Sequence, residues 1–277
     1  MMAHIPRKRF GQNFLVDPAI IADIISAIQP RDDDLLVEIG PGLGALTHPL
    51  LRTLNHLHVV EIDRDIVKRL QQQFPSEKLT IHAGDALEFD FATLGKNLRV
   101  IGNLPYNIST PLLFHLSQFS EHIRDMHFML QKEVVERMVA KPSTSEYGRL
   151  SVMLQCRFEM KLLFIVPPES FHPPPKVDSA VVRMAPLTKP LVQPGKDKLF
   201  AGIVSAAFSQ RRKTLRNTLR DYLKPEDYVA LKIDSGQRAE NLSVAQFMTI
   251  TNYVDTWVAH TARRPKAHAD GNSGEAE

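Results

Sequence analysis

A single cysteine, Cys156, occurs in 277 residues. That excludes an intrachain disulfide framework and a cysteine-based zinc cluster. No run of 18 or more apolar residues occurs, which argues against a membrane-spanning helix. The opening "MMAHIPRKRFGQNF" is basic but lacks an apolar stretch, which argues against secretion. Together these absences suggest a reducing, cytoplasmic setting. There is no P-loop, no nucleophile elbow and no internal repeat. His56 and His58 share a strand face, but no third ligand lies at suitable spacing, so no metal is expected. "PRDDD" at 30–34 reads as a solvated turn rather than a metal cluster.

Hydrophobic residues make up 43% of the chain, enough for a proper core. After the basic arm, "PAIIADIISAIQ" (18–29) reads as an amphipathic helix. The runs "LLVEIG", "LHVVEID", "LTIHAGD", "LRVIGN" and "MHFML" then alternate with helical patterns near 44–54, 64–73, 109–118 and 131–140. Such alternation predicts an α/β fold with a mostly parallel, Rossmann-like sheet, and near-continuous apolar runs mean strands covered on both faces. Residues 159–166 and 180–185 read as two further strands joined by "PPESFHPPPKVDS", ending the sheet in an antiparallel hairpin strand. "PLTKPLVQPG" (186–195) marks a boundary between a domain over 1–187 and a small all-α domain over 195–262. The latter should hold helices over about 196–223, 225–233 and 243–260, and the polar tail 263–277 is expected to be disordered.

"VEIGPGLGALT" places Gly40, Gly42 and Gly44 between the first sheet strand and a helix, where a ligand can approach the backbone. Glu61 ends the second strand 21 residues after Gly40, a position suited to a ribose diol. Asp85, followed by Ala86 in "AGDAL", reaches the same sheet edge and can accept from an adenine amino group. Pro41 has no N–H to donate, so the loop suits a ligand without phosphates, such as S-adenosylmethionine, better than a dinucleotide. A tight strand-to-helix turn with strand-end carboxylates is the alternative for the same residues.

"GNLPYNIST" (102–110) contains more than a turn needs. Ser109 can cap the helix and Pro111 suits its first turn, which leaves Asn103, Pro105 and Tyr106 to explain. An exocyclic amine of a base is a poor nucleophile because its lone pair is delocalised into the ring. Two acceptors on its hydrogens, Asn103 Oδ1 and a backbone carbonyl of Leu104–Pro105, would favour the tetrahedral nitrogen and stabilise its developing charge. Tyr106 offers a flat face to a base lifted from its stack.

"RKRFGQNFL", "VEIGPGLGALT", "GNLPYNIST", "LQKEVVERM", "YGRLSV", "FHPPPKVDSAVVR" and "FSQRRKTLRNTL", in that order from about residue 7 to about 260, closely resemble the bacterial small-subunit ribosomal RNA adenine-N6,N6-dimethyltransferases, the kasugamycin-sensitivity family. The resemblance implies a class I methyltransferase fold and S-adenosylmethionine as cofactor. It implies four methyl transfers to two adjacent adenosines in the 3′-terminal hairpin loop of the rRNA, on a nearly assembled small subunit. By the same resemblance Asn13 and Leu15 lie beside the cofactor with Gly40, Glu61, Asp85 and Asn103, and Phe171 sandwiches the target base opposite Tyr106.

Arg211, Arg212, Lys213, Arg216 and Arg220 lie in a stretch, 199–220, without an acid. Arg212, Arg216 and Arg220 recur every four residues, which on one helix gives a basic face, with Phe208, Leu215 and Leu219 packing inward. With Arg7, Lys8 and Arg9 of the arm they are the expected RNA contacts. Two other functions fit less of the sequence: methylation of large-subunit rRNA, as in the macrolide-resistance enzymes, and a non-catalytic RNA-binding assembly or transcription factor. A nicotinamide oxidoreductase is disfavoured by Pro41 and "NLPY". Monomeric action is expected.

Overall fold

A computed structural model of the chain describes residues 13–106 and 108–262. The expected contacts Arg7, Lys8 and Arg9 and the tail 263–277 lie outside the described residues. The chain divides into two compact units, Met1–Leu191 and Val192–Glu277.

The first unit carries strands β1 (Phe14–Leu15), β2 (Leu36–Ile39), β3 (Leu57–Glu61), β4 (Leu79–Ala83), β5 (Leu98–Asn103), β6 (Ile123–Gln131), β7 (Phe158–Val166), β8 (Phe171–His172) and β9 (Ser179–Pro186). Seven of them form one sheet in the order β4-β3-β2-β5-β6-β9-β7. β2 to β6 pair in parallel, and β9 runs against both its neighbours, β6 and β7. Alternate residues of β5 show why its sequence is apolar throughout. Val100 packs with Phe128 and Val182 on one face, and Ile101 with Met129 and Val181 on the other. From β2 the chain steps through β3 and β4 to one side, then returns to β5 and β6 on the other. Beyond the carboxyl ends of the strands, that reversal opens a crevice.

Arg99, 3% exposed near the start of β5, ties the opposite end together. Its Nε and Nη2 donate to Asp125 at 3.0 and 3.2 Å, its Nη1 to Asp34 at 2.6 Å, and its Nη2 and Nη1 to the carbonyls of Ile28 and Gln29 at 2.5 and 3.3 Å. Those carbonyls end the helix Pro18–Ile28, so one cation answers two buried carboxylates and a helix C-terminus. Residues 31–33 are the exposed turn expected there, closed by Asp34 N–H on the Arg31 carbonyl at 3.1 Å, while the Asp34 carboxylate turns inward to Arg99.

Three expectations need correction. The first unit has a two-stranded sheet, β1 paired antiparallel with β8, that the sequence did not suggest. Over 44–54 only Thr47–Leu50 is helical. The helix expected over 196–223 is two, Asp197–Ala207 and Leu215–Thr218. Leu215 and Arg216 give their N–H groups to the carbonyls of Gln237 and Ser235, at 2.8 and 3.1 Å, so neither donor continues the earlier helix. Arg212 thus sits in the turn before the second helix, Arg216 within it and Arg220 in the turn after it. They share no helix face, although all three are exposed. Leu215 and Leu219 are fully buried, and Phe208 is half-buried, stacked on Phe247 at 5.8 Å.

Candidate active site

A cavity of about 480 Å³ opens at the carboxyl ends of β2, β3 and β5. All eight residues expected beside a cofactor border it: Asn13, Leu15, Gly40, Gly42, Glu61, Asp85, Ala86 and Asn103. Leu104, Pro105 and Tyr106 border it as well. Its size and its mainly apolar lining with a few convergent polar groups are those of a small-molecule site.

Gly42 has φ +53°, and a Cβ there would stand 3.2 Å from the ring of Phe14. Glycine therefore lets β1 lie against the loop. Glu61 is 6% exposed. Burial raises its pKa, and the N–H groups of Asp63, Gly42 and Ile62 oppose that rise. Its Oε1 accepts from Asp63 N–H at 2.8 Å, and the Gly42 and Ile62 N–H groups also act on the carboxylate. Asp85 Oδ1 accepts from Leu87 N–H at 2.9 Å, and among the described residues no donor is placed on Oδ2.

Asn103 ends β5, and its Nδ2 donates to the Asn13 carbonyl at 3.1 Å. A carbonyl can only accept, so this bond fixes which end of the amide is nitrogen. Oδ1 is then the amide's acceptor, on a residue that borders the cavity. Leu104 is anchored by its N–H to the Met129 carbonyl at 3.1 Å, and the Pro105 carbonyl accepts from Ile108 N–H at 3.2 Å. Among the described residues no donor engages the Leu104 carbonyl, which makes it the candidate acceptor of the turn. Gly102 explains how Asn103 gets there: a Cβ on Gly102 would stand 2.5 Å from the Ile39 carbonyl, so only glycine lets β5 approach β2 this closely. Ser109 is not the cap of the next helix but its first residue, and its Oγ donates to the Tyr106 carbonyl at 3.1 Å.

Phe171 is placed differently from the expectation. β8 sets it opposite Leu15, and its ring lies in the core with Leu15, Val166 and Val181, only 4% exposed. It holds the β1–β8 sheet to the main sheet and presents no open face to a base. Tyr106 is half-buried at the cavity, its hydroxyl 2.8 Å from Ser179 Oγ.

Glu38 went unnoticed as a site residue, although a carboxylate inside the apolar run "LLVEIG" is itself a signal. It borders the cavity, is 2% exposed, and accepts from Thr47 Oγ1 at 2.6 Å. Burial chiefly, and the charge of Glu61 in addition, push its pKa up to about 7, against the pull of the Thr47 hydrogen bond. A carboxyl whose folded pKa lies above its unfolded value favours the fold fully below about pH 4.5, and that contribution is lost as pH rises through about 7. Glu38→Gln keeps the acceptor for Thr47 and cannot ionise. Without ligand, its unfolding free energy should fall less than the wild type's across this window, by up to about 3 kcal/mol. Denaturant titrations across the window would show parallel declines if Glu38 were already ionised at low pH.

The family model described as ribosomal RNA adenine dimethylase matches residues 3–256. A protein of Nitrosospira multiformis named ribosomal RNA small subunit methyltransferase A is 74% identical over 252 residues, which cover 91% of this chain and 97% of that one. Its namesake in Thiobacillus denitrificans is 63% identical over 91% of this chain and 99% of the relative. Among solved structures, a dimethyladenosine transferase from Plasmodium falciparum superposes with a TM-score of 0.76 at 26% identity, covering 88% of this chain and 98% of that one.

Proposed function

Since the chain belongs to the ribosomal RNA adenine dimethylase family, and is an S-adenosylmethionine-dependent rRNA adenine dimethyltransferase, we propose that it dimethylates two adjacent adenosines in the 3′-terminal hairpin loop of small-subunit rRNA, and that Asn103 and Tyr106 hold the reacting base. The observation that carries the assignment of roles is Asn103, whose nitrogen is tied to Asn13 while its oxygen remains at the cavity.

The residues present fit the cofactor. The glycine loop leaves room against the backbone, and Glu38 and Glu61 give the cavity two buried carboxylates, which suits a cation. Glu61 would hold the ribose diol and Asp85 the adenine amino group. Bound S-adenosylmethionine supplies an electrophilic methyl on a positively charged sulfur. Asn103 Oδ1 and the Leu104 carbonyl accept the two hydrogens of the target amine and stabilise the charge its nitrogen acquires. Tyr106 gives the base a stacking surface. The site needs no strong base, because the amine loses its proton after it has become cationic. By fixing the amine's place and direction at the cofactor site, Asn103 and Tyr106 would supply much of the remaining acceleration.

Small-subunit rRNA is favoured over large-subunit rRNA because the relatives at 74% and 63% identity carry small-subunit names. Offering labelled cofactor with unmethylated small or large subunits tests the choice: label should enter the small subunit, and incorporation confined to the large one would reverse it. The protein is read as a cytoplasmic monomer acting on a nearly assembled subunit. Among the described residues no helix is long and apolar enough to cross a membrane.

The domain over about 195–262 is assigned to grip the rRNA through Arg211, Arg212, Lys213, Arg216 and Arg220. Arg220 has an acid beside it, its Nε lying 3.8 Å from Asp221 Oδ1. Changing Arg212, Lys213 and Arg216 together to Gln should weaken subunit binding at moderate salt and flatten its salt dependence by somewhat under one unit of log–log slope per lost phosphate contact. S-adenosylmethionine affinity should stay the same. An unchanged slope would make this segment solvated surface and shift the grip to Arg7, Lys8 and Arg9.

A further inference from the structure

The hydroxyl of Tyr106 does no chemistry in the scheme above, yet its placement is specific. It lies 2.8 Å from the Oγ of Ser179, a residue with no exposed surface. Ser179 begins β9, where it pairs with Gln131 of β6 on one side and Val166 of β7 on the other. A residue laddered on both sides is among the least mobile points of a sheet. Tyr106 belongs to the turn between β5 and the following helix, without a ladder of its own. A ring on a turn has its own rotation and tilt to lose before a base can stack on it.

We propose that Ser179 is a positioning residue for the methyl transfer, holding the Tyr106 ring in the orientation that receives the target adenine. Either hydroxyl can donate, so the bond survives whichever way the proton points. Neighbouring bonds fix the same strand end. The Lys132 N–H donates to the Asp178 carbonyl at 3.0 Å, and the Lys132 ammonium lies 3.4 Å from the Asp178 carboxylate. The arrangement parallels Asn103, which the Asn13 carbonyl holds from the other side. Each base-handling side chain at this edge is thereby aimed by a partner distant in sequence. Ser179 itself need not touch RNA or cofactor.

The inference rests on Tyr106 stacking the base, so its test separates the two. Turnover and KM for small-subunit rRNA are measured for Ser179→Ala, Tyr106→Phe, the two combined, and Tyr106→Ala, with S-adenosylmethionine affinity and thermal unfolding as controls. Breaking one neutral hydrogen bond should cost about 3- to 10-fold in kcat in each of the first two variants. The combined variant should lose no more than either alone, because both remove the same bond. Cofactor affinity should not move. Tyr106→Phe reads the bond even if Ser179→Ala folds poorly. Losses that multiply in the combined variant, or a Ser179→Ala enzyme with full turnover, would overturn the positioning role. If those losses multiply while Tyr106→Ala is inactive, stacking stands and only the positioning falls. If Tyr106→Ala turns over normally, stacking fails and takes the positioning with it.

Discussion

Asn103→Ala should slow methyl transfer by about 10²- to 10³-fold, the usual loss when one preorganised partner of a developing charge is removed. Affinity for S-adenosylmethionine should weaken only a few-fold, because the amide's bond within the protein is to the Asn13 carbonyl and its free oxygen is assigned to the substrate amine. The interaction strengthens as the nitrogen becomes cationic, so the loss belongs in kcat rather than in binding. Single-turnover rates alongside calorimetric titration with cofactor separate the two. A variant with near-normal single-turnover rates would remove Asn103 from the chemistry.

Glu61→Ala should weaken S-adenosylmethionine and S-adenosylhomocysteine together, by about 10- to 100-fold each, the range for a hydrogen bond to a charged group. Both ligands carry the same ribose diol and differ only at sulfur. Oε1 is already engaged by the Asp63 N–H, so the diol is assigned the acceptor capacity the carboxylate has beyond its backbone bonds. The substitution also frees that buried N–H, which makes thermal unfolding a necessary control. Calorimetry with both ligands is the measurement. A loss confined to the methylated cofactor would mean that Glu61 answers the sulfonium charge instead of the ribose.

Much of this was legible in the sequence where a pattern repeats or a backbone demand is strict. The strand runs ending at Ile39, Glu61 and Asn103 were visible because strands buried on both faces read as unbroken apolar stretches. The glycines were visible by their place between a strand and a helix with Glu61 21 residues on, and Asn103 because a plain turn does not need it. The β1–β8 sheet was not, since two residues per strand carry no period. For the same reason the burial of Phe171 was missed: a loop aromatic can face a ligand or the core, and only its pairing opposite Leu15 settles which. The basic segment misled through spacing. A four-residue recurrence implies one face only if the helix is continuous, and tertiary bonds to Gln237 and Ser235 replace the helical ones. Gly102 and Ser179 act through groups remote in sequence, the Ile39 carbonyl and the Tyr106 hydroxyl, and local pattern does not reveal such partners.

On this reading the carboxyl edge of the sheet moves methyl groups onto an adenine amine of small-subunit rRNA. Incubating the protein with labelled S-adenosylmethionine and unmethylated small subunits, then digesting the RNA to nucleosides, tests it most directly. The label should appear as N6,N6-dimethyladenosine at two adjacent positions of the 3′-terminal hairpin loop, and should be nearly absent with Asn103→Ala. Label on another atom or another base, or equal label with the variant, would contradict it.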